Sequence, residues 1–259
     1  MQILVCVKQV PDSDAPIHID SDGRWIQTEE ISGFRMNRLD EFAVEEAVLI
    51  KASSAQTVVE AVTVGPERSA DVIKRSIGMG ADSGIHIVTR GAKYQSSFET
   101  SALIAEYARR RSYDLILTGA MSEDNMQGQV GPMIAGRLGI PWATSVIYEK
   151  IAADGKSIHI EREIEGGNRD ILELQLPAVL TIQSGINTPR YPSLSNLLRA
   201  NRAPLEKIQA GDLAQGPFPE VVDRIAYPQK KASGEVLDGT QEQKAVQLVR
   251  LLRERALLP

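Results

Sequence analysis

The stretch from Leu115 to Ile140, LILTGAMSEDNMQGQVGPMIAGRLGI, holds the residue types and spacing that come nearest to a chemical site in this chain. An apolar run stops at Gly119, a polar loop follows, and Gly131-Pro132 opens a helical pattern. Proline is tolerated in the first turn of a helix and costs about 3 kcal/mol deeper inside, so the helix is expected to start near Gly128 to Gly131. The N–H groups of Gln127 through Gly131 would then be free at the end of a buried strand, with Met133, Ile134 and Leu138 turned to the sheet. Free amides and the helix dipole together suit a phosphate. Gly128 and Gly131 would let a ligand approach the backbone. The stretch lacks the Gly-Lys-Ser/Thr of a Walker loop, and it is not a G-x-G-x-x-G fingerprint at a first strand. With no lysine and no evident magnesium ligand, it favours holding a nucleotide over transferring its phosphate. A plain strand-to-helix turn would use the same residues. Glu123 and Asp124 fit poorly beside a phosphate, unless they contact a ribose or point outward.

Other candidates are weaker. Asn37 and Asp40, in MNRLDEFAVEEA, stand at a helix start, where they would either cap the helix or contact a ribose or base. Val7 to Asp12 follow the first strand directly and would share its rim. Glu161, Glu163 and Glu165 alternate along a strand pattern, which reads as a solvated face; acid–base work would need burial or perturbation that the sequence does not show. Cys6 lies inside a strand and reads as a small buried residue rather than a nucleophile. No Ser-His-Asp or Cys-His arrangement is detectable.

These residues depend on the elements that carry them. Strands are expected at Gln2–Val10, from Thr57, in SGIHIVT, in YDLILTG and in TSVIYEKI. Helices are expected between them: from Asn37 with Leu39, Phe42, Ala43, Ala47 and Ile50 on one stripe, after Gly65-Pro66, and from Ser96. This alternation implies an α/β fold, a mostly parallel sheet with helices on both faces, in the Rossmann-like manner of adenine-nucleotide-binding domains. Ligands of such sheets bind at the carboxyl ends of the strands. After about residue 145 the rhythm changes to antiparallel strands, with turns at Asp154-Gly155 and Gly166-Gly167. The segment from Tyr191 reads as a short helix or loop. Ala214 to Gly239 is rich in Pro, Gly and charge and reads as an extended arm, and the last twenty residues form an amphipathic helix carrying Ala245, Leu248, Val249 and Leu252. Such an arm points to docking on another chain.

Composition sets the outer limits. The chain has 259 residues, 42% apolar and 24% charged, ordinary values for a globular protein. A net charge of −5 argues against nucleic acid as a partner. Cys6 is the only cysteine, and His18, His86 and His159 are scattered, so neither a disulfide framework nor a metal site is expected. No apolar run reaches the roughly 20 residues of a membrane helix, so no direct membrane insertion is expected. No cleaved signal is evident, and a cytoplasmic location follows as the expectation.

ILVCVKQVPD, MNRLDEFAVEEAV, GADSGIH, IEREIEGGNRDILELQLPAVLT and NTPRYPSLSNLLRA, in this order through about residue 205, resemble the β subunit of electron transfer flavoproteins. The segment from Ile160 to Thr181 carries most of that resemblance. Asp170 departs slightly from the family's usual Glu or Gln. The resemblance implies a bacterial or archaeal heterodimer with a larger α subunit that holds most of the redox FAD. The β chain would contribute a nucleotide-binding domain over residues 1–205, with a partner-recognition segment near 184–202. Residues 206–259 would form an arm and helix docking on the α subunit. Acyl-CoA dehydrogenases of fatty acid β-oxidation would be the electron donors and a quinone oxidoreductase the acceptor. The β chain would not be an enzyme by itself.

The implied nucleotide contacts are Cys6, Asn37, Arg38, Leu39, Asp40, Val64 and the run Gly119, Ala120, Met121, Ser122, Glu123, Asp124, Asn125, Met126, Gln127, Gly128, Gln129 and Val130. The nucleotide is structural AMP in ordinary members and a second, NADH-oxidising FAD in electron-bifurcating ones. Bifurcating members carry a basic residue where this chain has Ala120 and an acidic one where it has Met126, so AMP is the expectation and a second FAD the alternative. Leu194 matches the family's anchor to the dehydrogenase, with Arg190, Tyr191, Arg199 and Arg202 around it. Glu163 matches a glutamate that modulates the mobile flavin domain. A stand-alone nucleotide-binding regulatory module is the alternative from another class; it would need neither the arm nor the recognition segment.

Overall fold

The computed structural model describes residues 1–28, 31, 33–54, 56–91, 94–213, 220–229, 234 and 236–258. Residues 214–219, 230–233 and 235 of the expected arm lie outside that set. Eleven strands and six α-helices are seen among the described residues. Nine strands form one sheet: β1 (Gln2–Cys6), β4 (Val58–Gly65), β5 (Ser83–Val88), β6 (Leu115–Gly119), β7 (Trp142–Ile151), β8 (Ser157–Glu163), β9 (Arg169–Gln175), β10 (Ala178–Ile182) and β11 (Glu206–Gln209). Their order is β11-β5-β4-β1-β6-β10-β7-β8-β9. Pairing is parallel from β11 to β7 and antiparallel from β7 to β9.

The expected alternation is present, because each strand–helix unit can bury its apolar face only against the same sheet. Along β1, Ile3 and Val5 belong to the core beneath α1 (Arg38–Ser53) and α2 (Ala70–Met79). Leu4 and Cys6 belong to the core beneath α3 (Ser97–Arg109) and α4 (Val130–Leu138). Helices therefore cover both faces. The chain runs from β1 outward to β4 and β5, then returns to β6 on the other side of β1. That reversal opens a crevice at the carboxyl ends of β1 and β6, where α/β sheets bind ligands.

Several details differ from the sequence reading. The α1 stripe is wider than expected: Val44 and Val48 are buried in it, while Leu39 and Phe42 are only half-buried. Gln9–Pro11 (β2) pairs with Phe34–Met36 (β3) in a two-stranded sheet too short to leave a periodic signal. β11 pairs with β5, so the compact unit runs Met1–Ile225, past the 205/206 boundary. α5 (Leu194–Ala200) packs on α2 at Gly78, where a side chain would press on Leu197 and Pro192.

The second unit, Ala226–Pro259, holds α6 (Gln241–Glu254). A capping box starts it: Thr240 Oγ1 accepts from Gln243 N, and Gln243 Oε1 accepts from Thr240 N. No residue of α6 is buried, and Val246, Leu248 and Val249 are exposed. Among the described residues no helix is long and apolar enough to cross a membrane.

Candidate functional site

A cleft of about 780 Å³, its open mouth included, lies at the carboxyl ends of β1, β4 and β6. Cys6, Val64 and Ile104 give it apolar walls, and the loop from Gly119 to Val130 and the start of α4 close the other side. The helix begins at Val130, within the expected range, with Pro132 in its first turn. Among the described residues, no backbone N–H from Gln127 to Gly131 is spent on a tertiary hydrogen bond. Met126 sits at φ 53° and Gly128 at φ 61°, so the loop turns twice through the left-handed region before entering the helix. Strain of this kind persists only where the surroundings hold it.

Neighbouring elements fix the loop from Gly119 to Asp124, just before that turn. Asp40 is almost fully buried and accepts from Lys8 N at 2.7 Å, Gly119 N at 3.1 Å and Asn37 Nδ2 at 3.0 Å. One carboxylate thus joins the ends of β1 and β6 to the start of α1. Burial pushes its pKa up to about 7, against the pull of these three donors and the Lys8 charge. Gly119 must be glycine, because a Cβ there would strike Asp40. Asn37 is the α1 N-cap residue, but its side chain caps nothing. Instead it donates to Met121 O at 2.9 Å and accepts from Glu123 N at 3.0 Å, which fixes the loop.

The two loop carboxylates are turned away from the cleft by cations from other elements. Glu123 takes a two-pronged contact from Arg35, at 2.8 and 3.1 Å, and accepts from Arg38 N at 3.0 Å. That arginine and amide draw the Glu123 pKa down despite its partial burial. Asp124 pairs with Lys8 Nζ at 2.7 Å. Lys8 Nζ also reaches Ser122 Oγ at 3.3 Å. The loop has no lysine of its own, but the β1 end supplies one.

The structure brings most of the sequence-derived residues together. Cys6, Asn37, Asp40, Val64, Gly119 to Ser122, Asn125 and Gln127 to Val130 all line the cleft. Burial pushes the Cys6 thiol pKa far up, which fits a wall residue and not a nucleophile. Arg38 and Leu39 do not line it; Arg38 borders a separate polar groove with Arg35, Glu41 and Arg75. Glu123, Asp124 and Met126 are also outside the lining, and Met126 is solvent-exposed. Gly131 is buried because a Cβ would strike Thr181 and Thr118, so its small size serves helix–sheet packing as well as the cleft. Ala135 joins Ile134 in the buried face of α4, where Met133 was expected.

Sequence reasoning missed the wall formed by Gln95, Ser97, Thr100 and Ile104. One signal was available: Ser96 begins an S-x-x-E pattern and caps α3 by accepting from Glu99 N at 3.1 Å. A helix entered at that point must open at the same strand-end rim.

Away from the cleft, Tyr191 and Leu194 are 84% and 73% exposed, and Leu198 is exposed beside them. Arg190 differs from the expected free basic rim. Its guanidinium forks onto the buried Glu45 carboxylate, with both contacts at 2.8 Å. Arg199 is exposed and reaches only Asn196 Oδ1 at 3.3 Å. Glu163 is exposed at the end of β8, opposite Arg169. Among the described residues, no group of His, Cys, Asp or Glu is placed to hold a metal.

Comparison with known proteins agrees with this architecture. The family model for the electron transfer flavoprotein domain matches residues 25–213. The chain is 32% identical to the electron transfer flavoprotein subunit beta of Mus musculus, over 93% of this chain and 94% of that one. It is 32% identical to the subunit of that name from Bacillus subtilis, over 99% of both chains. The subunit of that name from Methylophilus methylotrophus is 30% identical, over 98% of both. A match of this extent means that the chain belongs to the electron transfer flavoprotein β-subunit family.

Proposed function

We propose that this chain is the β subunit of a heterodimeric electron carrier, that its cleft holds AMP as a structural nucleotide, and that it helps enclose an FAD held mainly by an α subunit. The observation carrying this reading is the strand-end cleft itself, with unspent amides at the start of α4 and no lysine in its loop. The residues fit a nucleotide: apolar walls at Cys6, Val64 and Ile104 for a flat base, and amides from Gln127 to Gly131 for a phosphate. The charged groups lining the cleft are already engaged: Asp40 by three donors, Lys8 by Asp124. The flavin, when bound, supplies the electron chemistry; the chain supplies position, enclosure and partner choice.

Electrons would arrive from acyl-CoA dehydrogenase-type flavoenzymes and leave to a quinone oxidoreductase, in the cytoplasm of a bacterium or archaeon. Tyr191 and Leu194 are the contact points for the dehydrogenase, since exposed aromatic and aliphatic side chains make the anchors of small interfaces. The end of the chain from Ala226, with α6, docks on the α subunit in place of the longer 206–259 stretch expected from the sequence, since β11 belongs to the sheet. A 14-residue helix with no buried residue is marginal in water by itself, so it gains its stability on a partner. Glu163 modulates the position of the flavin domain.

A second FAD in place of AMP, with NADH oxidation there, has one observation in its favour. A further chamber, lined by Trp25, Phe34 and Arg68, shares Lys8, Val64, Gln95 and Asn125 with the cleft. Lys8 also answers the need of a diphosphate for a cation, although Asp124 already neutralises it. The deciding experiment is to purify the chain with its α partner, denature the complex, and quantify nucleotides. One FAD and one AMP per heterodimer support the carrier; two FAD support bifurcation. A monomer carrying only ATP would overturn both.

A further inference from the structure

Among the described residues lining the cleft, one buried polar atom has no partner: Gln95 Nε2. Its neighbours in the chain are all committed. Tyr94 Oη donates to Glu220 at 2.9 Å and accepts from Gln127 Nε2 at 3.2 Å, and its ring lies 4.8 Å from that of Trp25. Ser96 caps α3, and Ser97 Oγ donates to Gln127 Oε1 at 2.6 Å. The side chains on either side of Gln95 are therefore engaged, while its buried Nε2 is left without a partner. A buried amide donor without a partner is costly, and folded proteins seldom leave one.

Gln95 and Val64 are both in the wall shared by the cleft and the adjoining chamber. Val64 continues into the apolar wall of Cys6 and Ile104, against which a flat base can lie. A flat base lying against these side chains would present ring nitrogens, which accept hydrogen bonds and carry no charge. A neutral carboxamide donor matches them, as Gln matches the N6/N7 edge of adenine in other settings. We propose that Gln95 is a nucleotide-contacting residue, its Nε2 donating to a ring nitrogen of the bound adenine. This rests on the reading that the cleft holds an adenine nucleotide.

The test uses the full chain with its α partner, stripped of nucleotide. AMP and its 1-, 3- and 7-deaza analogues are titrated into wild type, Gln95→Ala and the near-isosteric Gln95→Met. In wild type, one analogue should bind about tenfold more weakly than AMP, the loss of one hydrogen bond. Both variants should bind AMP as weakly as wild type binds that analogue, and should no longer distinguish the two. Circular dichroism and melting of the complex identify any variant that fails to fold, and Gln95→Met preserves the packing. A wild type indifferent to all three analogues, or variants that keep the preference, would overturn the assignment. A wild-type complex that takes up no AMP at all overturns the underlying reading and the assignment with it.

Discussion

The strand-end cleft and the C-terminal helix stand at opposite ends of completeness. In the cleft, Asp40, Asn37, Lys8 and Arg35 each tie a loop atom to a different element, so the site is formed before any ligand arrives. In α6, Leu248 and Val249 lie on the apolar stripe and are exposed among the described residues. The first region spends its side chains on itself, and the second leaves them exposed. The segment around α5 combines both: Arg190 is locked onto Glu45, while Tyr191 and Leu194 are left exposed.

The sharpest way to break this comparison is to charge the helix stripe. Leu248→Asp with Val249→Asp should cost about 2 kcal/mol or more per side chain at an interface, and so weaken α-subunit binding more than about a hundredfold. Co-purification and sedimentation would measure it, and an intact heterodimer would mean that the stripe is not the docking face. Next in size is Asp40→Ala, which strands the N–H donors of Lys8, Gly119 and Asn37. It should lower the unfolding free energy by about 3 kcal/mol in urea, with the nucleotide lost. Arg190→Ala leaves the Glu45 carboxylate buried and unpaired. Because Arg190 is partly exposed, the expected cost is about 2 kcal/mol of stability. Arg199→Ala should leave the melting temperature unchanged, which separates the locked arginine from the free one.

Leu194→Ala should leave folding intact and slow electron uptake from a dehydrogenase about tenfold, the loss of one anchor. Unchanged kinetics would remove Leu194 from the recognition surface. The smallest effect concerns pH. Glu149 faces Glu46, and burial together with that carboxyl raises its pKa from 4.5 to about 7. A folded-state pKa above the unfolded one means stabilisation present below pH 4.5 and lost as pH rises to about 7. Glu149→Gln should flatten the fall in melting temperature across that window; an unchanged profile would show that the pair does not share a proton.

The parallel sheet was readable because β1 and β6 carry unbroken apolar runs, as a strand covered on both faces needs, and because β4 and β6 end at glycine. The start of α4 was readable from Pro132 alone. β2, β3 and β11 were not, since three- and four-residue strands are shorter than the periodicity that would reveal them. Half of the cleft was visible in the Gly119–Val130 run. The Gln95–Ile104 wall was not, because its residues look like any capped helix start until the fold turns that start toward the same rim.

By itself, then, the sequence determined the alternating architecture, the absence of a lysine from the loop and the amphipathic end of the chain, each a matter of local order and period. The partners of its charges were decided by the tertiary structure alone. Glu123 and Asp124, which looked misplaced beside a phosphate, are held aside by Arg35 and Lys8, 88 and 116 residues away in the chain. Arg190, which looked free, is fixed by Glu45 at a separation of 145 residues. Coulomb attraction and hydrogen bonding act through space at a few ångströms, so their outcome depends on which distant segments the sheet order brings together.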